Sequence, residues 1–308
     1  MRPKDNKART VCESDLSSKS GMSMRECTVR RMRRDEIDLA IDLAAGEGWN
    51  PGLHDAHCFG EADPDGFLIA EVDGTLAGCM SAVFYEGRFG FIGLYIVVPE
   101  FRGQGIGWRM WTHGMQRLAE HFVGLDGVPA QQDNYCKSGF VLAWQNARYA
   151  GTARHAARSS GVLGASIVPV ADIDFTALCA DDRRVFPAAR ERFLRAWLTA
   201  PDTVALACLT GARLAGWGVI RRCREGYKIA PLVADAKDVA ASLYAALCSR
   251  VPEGAAVYLD VPLPNAEAVA LAESHGMQVV FETARMYTGA PPSCELERVF
   301  GITSFELG

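Results

Sequence analysis

The sequence has no apolar run approaching the ~20 residues that cross a bilayer, and no basic start leading into an apolar segment. Neither a membrane span nor a secretory leader is expected. It has no large excess of one charge, with 32 Lys and Arg against 37 Asp and Glu, a net of −5. A broad electrostatic pull toward nucleic acid or an anionic membrane is therefore excluded, and any phosphate site must be local. The ten cysteines form no Cys-x-x-Cys pair and are scattered mostly through apolar stretches. They read as reduced, buried thiols. Together these absences point to a cytoplasmic setting.

What remains is an ordinary globular composition, 49% hydrophobic over 308 residues, enough for two domains. Residues 1–23 are polar and aperiodic and read as a disordered tail. The first domain is placed at 24–151. Thr28 to Arg31 reads as a strand and Arg34 to Ala45 as a helix, with Ile37, Ile41 and Ala44 on one face. Phe67 to Val72 and Leu76 to Tyr85 form a hairpin across the turn signal Asp73-Gly74. Phe89 to Val98 reads as a buried central strand. Gly105 to Phe122 reads as a helix, because Trp111, Met115, Leu118 and Phe122 recur at helical spacing. Val123 to Leu125, Asn134 to Ser138 and Val141 to Tyr149 read as strand, helix and strand. An Ala-, Ser-, Gly- and Arg-rich linker is placed at 152–164.

Residues 165–308 replay the first domain. Thr210 to Gly216 echoes Asp73 to Gly78, and Leu259-Asp260-Val261-Pro262 echoes Leu125 to Pro129. Ser274 to Met277 echoes Lys137 to Phe140, and Thr283-Ala284-Arg285 echoes Asn146-Ala147-Arg148. Four echoes in the same order indicate two copies of one α/β (α+β) fold, each a mixed, mostly antiparallel sheet flanked by helices.

The chemistry centres on Val98-Pro99-Glu100-Phe101-Arg102-Gly103-Gln104-Gly105-Ile106-Gly107, between a strand and a helix. The first amides of a helix lack intrahelical partners, and the macrodipole adds positive charge, so an anion such as a diphosphate fits there. Glycine removes the Cβ atoms that would hold phosphate oxygens off, and Arg102 adds a cation. A nucleotide P-loop is disfavoured without Gly-Lys-Ser/Thr. A dinucleotide loop is disfavoured because the segment follows antiparallel-looking strands and not the first strand of a βαβ unit.

The same segment resembles the acetyl-CoA pyrophosphate loop of the GNAT (GCN5-related) N-acetyltransferase superfamily. Tyr135-Cys136-Lys137-Ser138-Gly139-Phe140 is similar to the Tyr-x-x-x-Gly-Phe signature that closes those domains. The resemblance covers about residues 26–150, and the whole chain resembles the subgroup with a second GNAT-like domain at its C-terminus. It implies transfer of an acetyl group from acetyl-CoA to a primary amine of a small molecule or peptide. It further implies that Ile96, Val97 and Val98 pair with the pantetheine arm. The loop Arg102, Gly103, Gln104, Gly105, Ile106, Gly107 and Trp108 would hold the pyrophosphate, with Asn134 beside it. Tyr135 would sit at the thioester sulfur as general acid.

Two departures stand out. Val128 occupies the usual Asn position, leaving Gln131, Gln132 or Asn134 to replace it. The cofactor strand carries no carboxylate, so the general base is open among Glu47, His54, His57, Glu86, Asp126 and water. Trp49 and Asn50 lie where the superfamily builds its acceptor site. His54-x-x-His57 lacks a third ligand, so no metal is expected. In the second copy, Ala234 to Ser242 overlays Pro99 to Gly107 without the glycines, with Asp238 against Gly103. Ala272 replaces the signature Tyr, and Asn265 keeps the Asn position. That copy is expected to act as a scaffold or acceptor-site wall. A non-catalytic acyl-CoA sensor is the alternative function, and aminoacyl transfer from tRNA is disfavoured by the acidic charge.

Overall fold

The computed structural model describes residues 26–155 and 165–308; the expected tail and most of the expected linker lie outside them. The first half runs β1 (Cys27–Arg31), α1 (Ile37–Gly46), α2 (Asp55–Ala62), β2 (Phe67–Val72), β3 (Thr75–Tyr85), β4 (Phe89–Val97), α3 (Ile106–Arg117), β5 (Phe122–Gly127), α4 (Gln132–Lys137) and β6 (Val141–Thr152). The second half repeats this order with β7 (Ala165–Pro169), α5 (Phe175–Val185), α6 (Glu191–Thr199), β8 (Thr203–Thr210), β9 (Arg213–Arg222), β10 (Tyr227–Ala234), α7 (Lys237–Cys248), β11 (Ala256–Pro262), α8 (Ala266–Ser274) and β12 (Gln278–Tyr287). A short β13 (Val299–Gly301) follows. The four sequence echoes fall at matching places, in the β2–β3 and β8–β9 turns, in β5 and β11, at the ends of α4 and α8, and in β6 and β12.

Two readings need correction. The expected helix 105–122 stops at Arg117. Phe122 has helical spacing by coincidence; it opens β5 and stacks on Tyr287 at 5.3 Å. Helix α2 was not anticipated, and it carries His54 at its N-cap and His57.

The strands form one sheet in the order β1-β2-β3-β4-β5-β12-β6-β11-β10-β9-β8-β7. All neighbours are antiparallel except β4–β5 and β10–β11. The order exchanges the last long strand of each half. β12 lies between β5 and β6, while β6 lies against β11. The repeated Asp and Arg residues pin this register. Arg285 faces Asp126 across β12–β5, with Nη2 and Nε 2.6 and 2.8 Å from its carboxylate. Arg148 faces Asp260 across β6–β11 through the same two nitrogens, Nε at 2.6 Å and Nη2 at 2.8 Å. Each buried Asp thus takes its guanidinium from the strand of the other half.

Packing follows the exchange. On one face a core cluster joins Phe59 of α2 to Phe193 and Trp197 of α6, with Phe59 and Trp197 stacked at 6.1 Å. On the other face α3 packs with Met110, Trp111 and Leu118 against β5 and against Ala284 and Met286 of β12. Helices α7 and α8 cover the equivalent face of the second half.

Candidate active site

Strands β4 and β5 pair only from Phe89 to Ile92 and from Phe122 to Leu125, then part. The cause lies in β4, where Leu94 takes a left-handed φ of 46° and the register against β3 slips between Cys79 and Ser81. A bulge of this kind bends a strand out of its ladder. The gap it opens leads into a cavity of about 470 Å³.

The N-terminus of α3 forms one end of that cavity. Gly103 and Gly105 adopt φ of 75° and 78°, which an L side chain resists, and an added Cβ at either would meet nothing within 4 Å. Their glycines serve backbone conformation, with open space above them. Among the described residues no acceptor engages the amides of Gly103 to Trp108. Six amides are thus left for an anion at the positive end of a helix dipole. Gly103, Gly105, Ile106, Gly107 and Trp108 line the cavity, and so does Arg102, whose Nη2 lies 2.5 Å from Glu47 Oε1. Gln104 does not, and its side chain donates to the Glu100 carbonyl at 2.9 Å. These observations fit the residues to a diphosphate.

The other sequence-derived positions divide. Val97 lines the cavity, with its carbonyl accepting from Arg102 Nε at 2.8 Å. Ile96 packs into the core on the opposite side of β4, and the Val98 amide donates to the Ala77 carbonyl at 2.9 Å. Asn134 points away, donating to Gln131 Oε1 at 2.8 Å, while Gln131 itself faces the cavity. Tyr135 lines the cavity from α4, packed on Trp111 at 5.6 Å. Gly127 has no Cβ because Tyr135 would lie 2.4 Å from it. Burial, then the neighbouring charge of Tyr95, pushes the Tyr135 phenol up to about 12.

Asp126 also lines the cavity, but both oxygens are held by Arg285, and Asn146 Nδ2 donates to it at 2.8 Å. Burial raises its carboxyl, and the guanidinium opposes this. Trp49 reaches the cavity, its carbonyl fixed by Arg148 Nη1 at 2.6 Å. Asn50 does not: its amide is spent bridging the main chain of Glu225 in the second half, at 2.9 Å in both directions. Glu47, His54, His57 and Glu86 lie outside the cavity, and His54 Nε2 meets Asp202 at 3.2 Å. Among the described residues no three His, Cys, Asp or Glu gather as a metal site.

The far wall is one the first domain's motifs never reached. It consists of Arg148, Phe281, Thr283, Phe305 and Glu306, all but Arg148 from the second half. Arg148 and Thr283 sit in a repeated segment that the sequence used only as a sign of two copies; nothing in the sequence marked Phe305 or Glu306.

The second half shows the same gap closed. Strands β10 and β11 pair only over Tyr227–Ile229 and Val257–Leu259, and β13 then lies against β10 at Leu232 and Val233. The Ile302 amide donates to the Asp260 carbonyl at 2.8 Å. Asn265 caps α8 by accepting from the Ala268 amide and donates to the Glu297 and Val299 carbonyls at 2.9 Å. The loop overlay needs revision here, because α7 begins three residues after β10 ends, so the loop is deleted and Asp238 lies in the first helical turn.

Comparison with known proteins agrees with this architecture. A model of the acetyltransferase (GNAT) family matches residues 35–140, and a GNAT acetyltransferase domain model matches residues 178–301. Holothin acyltransferase from Pseudoalteromonas sp. (strain SANK 73390) is 29% identical over 274 residues, covering 89% of this chain and 92% of that protein. A solved structure from Pyrococcus horikoshii superposes with a TM-score of 0.78 at 22% identity, covering 96% of this chain and all of that one. A tandem GNAT protein from the clavulanic acid biosynthesis pathway superposes at 0.61 with 13% identity, covering 86% of this chain and 100% of that one. The chain belongs to the GNAT N-acetyltransferase superfamily, carries two GNAT domains and is an enzyme of the acyltransferase class. No helix among the described residues is long and apolar enough to cross a membrane.

Proposed function

We propose that the chain transfers an acetyl group from acetyl-CoA to the primary amine of a small molecule, using one site in the first half. The observation that carries this is the run of unengaged amides from Gly103 to Trp108, opening into the same cavity as the β4–β5 gap and Tyr135. The loop amides hold the pyrophosphate, the free edge beyond Ile92 takes the pantetheine arm, and the Tyr135 hydroxyl meets the leaving sulfur. Holding both reactants in one cavity makes a bimolecular step effectively unimolecular. The second half supplies the acceptor wall. Its own gap is filled by β13 and its loop is deleted, so it binds no coenzyme A. The near full-length likeness to holothin acyltransferase supports the acyl-transfer reading.

A thermal melt tests the site. Acetyl-CoA at a hundredfold excess over its Kd should raise stability by about 2.7 kcal/mol. Gly105→Asp places a carboxylate against the diphosphate and should abolish that shift; its left-handed φ of 78° also lowers the unliganded melt by about 1–2 kcal/mol, so the ligand-induced shift is read against the variant's own baseline. A full shift in the variant rejects the loop as the site.

A further inference from the structure

Beyond β13 the chain leaves the second half and enters the first. The Glu306 main chain lies directly over Gly93, where even a Cβ would come within 2.0 Å of its carbonyl oxygen. The Leu307 carbonyl accepts from Tyr85 Oη at 3.0 Å, and Gly308 rests on Phe91. The C-terminal segment is thereby clamped at the point where β4 bulges away from β5. Gly93 is required for this approach.

Glu306 is 6% exposed and lines the cavity. Among the described residues no donor hydrogen-bonds its carboxylate, and no cation comes within 4 Å. A buried carboxylate is ordinarily paired, and neighbouring buried acids are: Asp126, on the same cavity, with Arg285, and away from the cavity Asp260 with Arg148 and Asp55 with Arg221 at 3.0 Å. Glu306 alone is left with its acceptor capacity directed at the cavity. Trp49, Phe281 and Phe305 line the same cavity.

We infer that Glu306 is the general base of the reaction, receiving the proton of an acceptor amine carried on a flat, ring-bearing body. The inference rests on the acyl-transfer reading above. It answers the missing carboxylate of β4, because the C-terminal segment crosses Gly93 and brings a carboxylate to the same cavity. As the acceptor nitrogen bonds to the thioester carbonyl carbon, Glu306 takes one N–H proton. The C–S bond then breaks, and the sulfur leaves with the Tyr135 proton. The proton on Glu306 returns to the Tyr135 phenolate through solvent, giving amide and free thiol with both side chains restored. The aromatic wall takes the ring of the acceptor, and Glu306 reads its amine.

The test uses the full chain, acetyl-CoA and tryptamine as probe amine, with single-turnover thiol release and calorimetry of acetyl-CoA binding. Glu306→Gln keeps shape and loses no intramolecular partner. It should bind acetyl-CoA within about twofold of wild type and release thiol at least ~10²-fold more slowly. Glu306→Ala should be equally slow and should recover about tenfold in formate, which re-supplies a carboxylate in the vacated space. Glu306→Asp, with the carboxylate set back by one bond, should fall between wild type and Glu306→Gln. Wild-type-like release in Glu306→Gln overturns the assignment. So does a slow Glu306→Ala that binds acetyl-CoA but ignores formate, since a structural role predicts that result. Wild type that binds acetyl-CoA without acetylating tryptamine overturns the ring-bearing acceptor. Wild type that does not bind acetyl-CoA overturns the acyl-transfer reading beneath it.

Discussion

At the scale of single residues, Tyr135 is the clearest case of chemistry set by surroundings. Its ring is held by Trp111 and Phe140, and no partner among the described residues engages its hydroxyl. Burial holds the phenol protonated well beyond the ordinary value, up to about 12. The sign follows directly. A raised pKa keeps the proton-donating form present at all pH values below it, so loss of the Tyr135 proton should not limit the rate below about pH 10. A single-turnover profile with an alkaline fall near pH ~8 would assign that fall to another group. Tyr135→Phe keeps the packing and removes the donor. It should leave acetyl-CoA affinity nearly unchanged and slow single-turnover release by about 10²-fold. Equal losses in affinity and rate would make Tyr135 a packing residue instead. The place of Tyr135 in the cavity wall was readable because its signature is local, six consecutive residues with a fixed spacing. Asn50 was misread for the opposite reason: its loop position suited an acceptor site, but its amide is used up by Glu225, 175 residues away.

At the scale of elements, one gap appears twice with different contents. In the first half the opening between β4 and β5 is free; in the second, β13 lies in it. Asn265 holds that strand and caps α8 with one side chain. Asn265→Ala loses a helix cap and leaves buried carbonyls unpaired, each worth about 1 kcal/mol or more. Denaturant unfolding should show a loss of about 2–3 kcal/mol. Acetyl-CoA affinity, set in the other half, should hold. A loss below ~0.5 kcal/mol would show that β13 does not depend on this anchor. The Asn at this position looked like a remnant of a cofactor site in sequence. In the structure it holds β13 beside β10 and caps α8.

At the scale of the whole molecule, the exchange of β6 and β12 makes the halves interdependent. Each half's part of the sheet is completed by the other half's strand, and Asp126 and Asp260 each take their Arg from the other half. The full chain should therefore unfold in one transition, and two separated calorimetric peaks would contradict the exchange as a stabilising feature. Removing one partner of a buried pair strands a charge, so Arg285→Ala should cost about 3–5 kcal/mol, and Asp126→Asn should be comparably damaging. The double change to Asp126→Ala with Arg285→Ala should cost less than the sum. Additive losses in that cycle would show no coupling between the two.

The sequence by itself determined the elements whose physics is local. Hairpin turns, the glycine-dependent loop ahead of α3, the Tyr135 signature and the presence of two copies all follow from a few adjacent residues. It even contained both Asp126–Arg148 repeats, as Asp126 with Asp260 and Arg148 with Arg285. Only the tertiary structure decided that each Asp pairs with the Arg of the opposite copy, since the repeat is symmetric and pairing within a copy or across copies leaves the same pattern. Only it brought Glu306 to Gly93, across more than two hundred residues, because a contact made by the chain's path leaves no period or spacing behind.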